Sequence, residues 1–120
     1  MIGPDELINR EFIKKSVKNA LHSLLGDTSL SALEFHLFNF LENDPYDVFC
    51  DDPPKFYEAL KTIFGLGADK VLEIMALTMI QKGAIRVINT GEFLELVKRG
   101  DEESRLKLLK SFRQGGASPI

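Results

Sequence analysis

Between Val71 and Ile80 only Glu73 and Thr78 interrupt an otherwise apolar run, so a helix over Gly67 to Gln81 would be apolar on every face. A helix of that kind belongs inside a core. The run is longer than a usual strand and contains Ala, Leu and Met, which suit a helix better than a pleated sheet. It falls short of the roughly 20 apolar residues that a bilayer crossing needs. No membrane partner is expected. The remaining elements must therefore wrap this segment, and the expected fold is all-α: a small orthogonal bundle of about six helices around a buried central helix at 67–82.

The first of those helices is predicted from Pro4 to Leu25, where Leu7, Ile8, Phe12, Ile13, Val17, Ala20, Leu21, Leu24 and Leu25 recur at helical spacing. Pro4 suits its first turn, Asp5 and Glu6 its positive end, and Gly26 its termination with positive φ. Asp27, Thr28 or Ser29 caps a second helix to about Asn43, with Leu30, Leu33, Leu37, Phe40 and Leu41 inward. Phe35 and Phe38 lie off that stripe. Asn43 to Asp47 is a turn by composition, and Phe49 and Cys50 return the chain to the core.

Asp52-Pro53-Pro54 opens a third helix running to Phe64, because Asp accepts backbone N–H bonds and Pro at the first position loses none. Gly65 and Gly67 form the structural turn into the central helix, with Leu66 over the junction. Residues 84–90 suit a short extended piece with no strand in evidence to pair with it. A short helix follows from Thr90 or Gly91 to Gly100. Asp101 caps a last one to about Arg113, carrying Leu106, Leu109 and Phe112 on one side and ion pairs Asp101–Arg105 and Glu103–Lys107. The expected organisation is a core helical domain at 1–83, a C-terminal helical extension at 84–113 and a flexible tail at 114–120.

Charge narrows the functional classes. The 120 residues carry a net charge of −3, and a pI near 5.4 speaks against a protein devoted to neutralising phosphates. The stretch between Lys18 and Lys55 holds seven acidic residues and no Lys or Arg, leaving +4 on the rest. One side is expected to be acidic. A single cysteine, Cys50, forms no internal disulfide, and the N-terminus shows no signal peptide, so the expected location is cytoplasmic.

No catalytic constellation stands out, so no enzyme activity, cofactor or metal is expected. His36, Cys50 and the nearby acids lack the spacings of a zinc or calcium site, and His22 has no acidic neighbour close in sequence. Gly65-Leu66-Gly67 follows a helix where a phosphate loop follows a strand, which leaves it a helix cap. A duplex-DNA reader in helix-turn-helix form would use Pro54 to Gln81, but that second helix offers Lys70, Glu73, Thr78 and Gln81 among apolar residues. The stripe Arg10, Lys14 and Lys18 is the better basic face, either solvated or set against an anionic partner. Lys98, Arg99, Lys107, Lys110 and Arg113 make a second basic set.

In Leu25-Gly26, His36-Leu37, Pro54-x-Phe56, Ala59-Leu60, Ile63-Phe64-Gly65-x-Gly67-Ala68 and Leu72-Glu73, in that order, the chain resembles an archaeal output-domain family of the Nitrosopumilus type. The likeness covers roughly Phe12 to Ile80, and Ile-Phe-Gly-x-Gly-Ala before a helix is its most specific part. It implies a small helical module that stands alone or is attached to signalling and DNA-binding domains. It carries over no site residue, and the chain after Gly83 lies outside it.

The expected function is thus a non-enzymatic helical interaction or signalling-output module. It acts through self-association or a protein partner, with Arg10, Lys14, Lys18, Phe35 and Phe38 as candidate partner-binding residues. The alternative is a transcription-related DNA-binding protein that uses a basic helix face. Phe35, Phe38, Ile85, Val87, Ile88 and the last two helices exceed what one central helix can cover, which predicts a homodimer that hides them by exchanging the segment after Gly83.

Overall fold

A computed structural model describes residues 8–113, so the expected helix start at Pro4 and the tail at 114–120 lie outside the described residues. The helices are α1 (Arg10–Leu41), α2 (Pro45–Asp51), α3 (Pro53–Phe64), α4 (Ala68–Gln81), α5 (Thr90–Arg99) and α6 (Glu102–Lys110), and a single 3-10 turn (Gly65–Gly67) joins α3 to α4. Among the described residues the fold is all-helical, with one isolated antiparallel bridge between Ile85 and Phe112.

The first element is two helical arms. Asn9 caps the start by accepting from the Phe12 amide, and Gly26 interrupts the helix at φ 82° and ψ 178°, a conformation open to glycine alone. Lys18 and Glu34 would stand about 24 Å apart along a straight helix. Their charged atoms are 3.7 Å apart, so the chain folds back at Gly26 as its sequence predicts. The second arm buries Leu30, Leu33, Leu37 and Leu41, but Phe40, expected inward, is 48% exposed on the other flank.

Residues 43–47 are not merely a turn. Asp44 caps α2 by accepting from the Tyr46 and Asp47 amides, and Pro45 occupies its first turn. Seven residues suffice to bury Tyr46, Val48, Phe49 and Cys50. The helix from Pro53 to Phe64 forms as expected, with Phe56, Ala59 and Leu60 inward, but the Asp52 side chain, expected to cap it, makes no cap hydrogen bond, and the Lys55 and Phe56 amides donate to its backbone carbonyl. Gly65 takes the positive φ of 56° that reverses the chain, while Gly67 has an ordinary helical φ of −76°. Leu66, expected to cover this junction, is fully exposed.

The larger correction concerns α4. Its buried residues are Ala68, Val71, Leu72, Met75, Ala76 and Met79, a single stripe at i, i+3, i+4, i+7, i+8 and i+11. That stripe packs on α1 and α5. Leu77 on the opposite side is 47% exposed and Ile74 only half-buried, so the helix lies against the core instead of being wrapped by it. The outer face is held by a Lys70–Glu73 pair at 2.8 Å.

The extended piece after Gly83 finds its partner in its own chain. Arg86 N–H donates to Ser111 O at 2.9 Å and Arg113 N–H to Ala84 O at 2.8 Å. Ile85 and Ile88 are thereby buried, so no exchange between chains is needed to hide them; of the apolar residues at 85–88 Val87 stays exposed, at 81%. Phe93, Leu96, Val97, Leu108, Leu109 and Phe112 join the same cluster of buried residues as α1 to α4. Leu108 takes the inward place expected of Leu106, and the ion pairs of α6 differ from expectation. Arg105 meets Glu102 at 2.9 Å and Lys107 reaches Glu92 at 2.7 Å.

Candidate interaction surface

The reversal at Gly26 and the cap at Asp44 bring the basic stripe onto the acidic stretch. Arg10 makes a two-pronged contact with Asp51, Nη1 to Oδ1 at 3.0 Å and Nη2 to Oδ2 at 2.9 Å, and its Nε donates to Asp47 at 3.2 Å. Lys14 lies 3.0 Å from Asp47 and 3.7 Å from Asp44. Lys18 faces Glu34, which also accepts from the Tyr46 hydroxyl at 2.6 Å. Arg10, Lys14 and Lys18 are therefore engaged in holding α1 to α2 and its own second arm. The acidity of the 19–54 segment is partly cancelled in the same contacts.

The titration behaviour follows the geometry. The ammonium of Lys14, hydrogen-bonded to Asp47, holds that carboxyl below its usual range and is itself raised by the contact. A lowered folded-state pKa adds stability that is fully present above the ordinary carboxyl value near ~4 and is lost as pH falls through the depressed one. Urea midpoints measured from pH 7 down to pH 2 should therefore fall more steeply for the native protein than for Asp47→Asn below about pH 4. Parallel curves would detach Asp47 from acid stability.

Two further polar groups have the residue types of chemistry without its poise. The Cys50 thiol, 1% exposed, is pushed up to about 11 by burial and stays protonated at neutral pH. Tyr57 donates its hydroxyl to Asp69, which Lys98 also holds at 2.7 Å, while the ammonium groups of Lys61 and Lys98 stand 5.4 and 5.1 Å from the Tyr57 ring centre. The hydrogen bond to Asp69 raises the phenol and the one from Lys98 lowers Asp69, so neither moves toward neutral pH. This cluster joins α3, α4 and α5 across 12 and 29 residues, and no local pattern announces it.

His36 is exposed, edge-on to Phe35 with ring centres 5.7 Å apart, whereas Cys50 is buried. His22, expected to have no acidic neighbour close in sequence, is hydrogen-bonded to Asp27 five residues on, because the reversal at Gly26 brings the two together. Among the described residues no three His, Cys, Asp or Glu side chains gather in a way that would hold a metal ion. No described helix is long and apolar enough to cross a membrane.

Phe35 and Phe38 differ from all of these. They sit one turn apart on the second arm of α1, 64% and 55% exposed. Beside Phe38 opens a cavity of about 270 Å³ lined also by Lys18, Glu34, Asp44, Pro45 and Tyr46. The arrangement offers two aromatic anchors next to a polar-rimmed hollow. Comparison of the chain with models of protein families, with curated proteins and with solved structures finds no match in any of the three.

Proposed function

We propose that the protein is a non-enzymatic helical interaction module that associates with itself through Phe35 and Phe38. The exposure of this aromatic pair carries the reading. Large aromatic side chains are the usual anchors of interfaces, since they bring much apolar area at little conformational cost. A second copy related by a two-fold axis would lay the same two rings against these and close the polar rim around them. The neighbouring charges supply no competing role, because the polar side chains gathered by the fold are spent on joining helices.

An output role in a signalling chain fits such a module, as the likeness around Ile63 to Ala68 implies. The rival reading, a helix face that binds duplex DNA, finds Arg10, Lys14 and Lys18 already matched by carboxylates. Sedimentation at micromolar concentration tests the proposal. The native protein is expected to sediment as a dimer and the Phe35→Asp/Phe38→Asp variant as a monomer with an unchanged circular dichroism spectrum. A native monomer across the micromolar range removes self-association.

A further inference from the structure

We infer that the groove between residues 84–88 and α6 is a binding site for an extended peptide segment of another protein, one in which apolar side chains alternate with carboxylates. The groove is open to solvent, has a volume of about 560 Å³, and sets Val87, Ile88 and Leu106 beside the cations Lys107, Lys110 and Arg113 and the carboxylates Glu92 and Glu103, of which Glu92 is paired with Lys107. Nothing from α1 contributes to it, so it is separate from the Phe35–Phe38 face. Its volume lies in the range of sites that enclose a small ligand or a short stretch of chain.

Three observations point to the occupant. The first is charge. Of the three cations that line the groove, Lys107 is paired with Glu92, while Lys110 and Arg113, like Lys15, Lys55, Lys61 and Lys82 elsewhere, have no carboxylate partner among the described residues. Arg86, on the segment beside the groove though not in its lining, donates from its guanidinium to the Gly83 carbonyl at 3.3 Å and has no carboxylate partner among the described residues. Unmatched cations around one groove favour a negative ligand.

The second is the backbone. The amides of Arg86 and Arg113 close the pairing of residues 84–86 with 111–113, but those of Val87 and Ile88 find no acceptor among the described residues. Successive amides of an extended chain point to opposite sides, so a peptide carbonyl lying in the groove would accept from one of these two donors, as in strand addition to an open edge. The third is apolar exposure. Val87 is 81% exposed at a φ of 68°, a conformation disfavoured for a β-branched residue. An apolar side chain of the ligand would cover it. The apolar Val87, Ile88 and Leu106 set among the cations favour a chain that brings apolar side chains over a run of phosphates.

The test is titration of ¹⁵N-labelled protein with the acetylated pentapeptide Glu-Leu-Glu-Val-Glu, its lysine counterpart Lys-Leu-Lys-Val-Lys, and Glu-Ser-Glu-Ser-Glu. Saturable shifts of the Val87, Ile88 and Leu106 amides with the first peptide alone are expected. Affinity should fall at least tenfold in Lys110→Glu/Arg113→Glu and less in Lys110→Gln/Arg113→Gln, with the rest of the spectrum unmoved. Equal binding of the lysine peptide, shifts centred elsewhere, or no saturable shift at millimolar peptide would overturn the assignment. So would movement of these same amides on simple dilution, which would give the groove to a second copy; dilution shifts confined to Phe35 and Phe38 would concern only the self-association face.

Discussion

Phe49→Ala is expected to lower the unfolding free energy by about 3–5 kcal/mol, the largest loss of any single truncation in α2. Phe49 is fully buried and its ring meets Phe56 at 5.4 Å, Phe93 at 6.3 Å and Phe112 at 6.1 Å between centres. Two of these contacts are edge-on and one is stacked, geometries that each add roughly 0.5–1.5 kcal/mol beyond the area they bury. The three partners come from α3, α5 and the residue pair that follows α6. Truncation thus loosens the junction where the N-terminal and C-terminal parts of the chain meet. Thermal melting should show a midpoint lower by more than about 12 °C, taking roughly 4 °C or more per kcal/mol for a domain of this size. A loss below about 1 kcal/mol would show that the short helix does not hold the two parts together.

That short helix also marks a limit of what the residues disclose. Asp44-Pro45 and Asp52-Pro53 read alike in the sequence, although only Asp44 caps its helix through the side chain, and only the second precedes enough residues to show a helical period. Seven residues make barely two turns, and the composition of 43–47 resembles a turn. By contrast Gly26, Gly65, Gly100 and Asp101 act locally and are legible as written, because positive φ and capping are properties of one residue and its neighbours.

The basic stripe was legible as a stripe and not as a set of ion pairs. Arg10, Lys14 and Lys18 stand at i, i+4 and i+8, but the acceptors of Arg10 lie 37 and 41 residues along the chain. Only the reversal at Gly26 and the cap at Asp44 bring them together. Phe35 and Phe38 were separable because they fall off the Leu30–Leu33–Leu37–Leu41 stripe, a distinction carried by spacing alone. The Val87–Lys110 groove has no such signal. It depends on Phe112 returning to pair with Ile85, a contact that spacing along the chain does not encode.

The placement of α4 rests on a pair of substitutions two residues apart. Met75 is fully buried, so Met75→Asp puts a carboxylate among apolar side chains with no cation to meet it. The expected loss is several kcal/mol, a large share of the 5–15 kcal/mol that holds an ordinary domain, and the variant should be unfolded or close to it at 37 °C. Leu77 is 47% exposed on the opposite face, and Leu77→Asp should change stability by about 0.5 kcal/mol or less. A helix buried all round, as its composition alone suggests, would lose its fold in both cases. Urea unfolding followed by circular dichroism separates the two outcomes. Unfolding of Leu77→Asp at low protein concentration would mean that something in the chain covers the outer face of α4. A loss that appears only as dissociation of a complex at higher concentration would instead give that face, alongside Phe35 and Phe38, to the contact between copies.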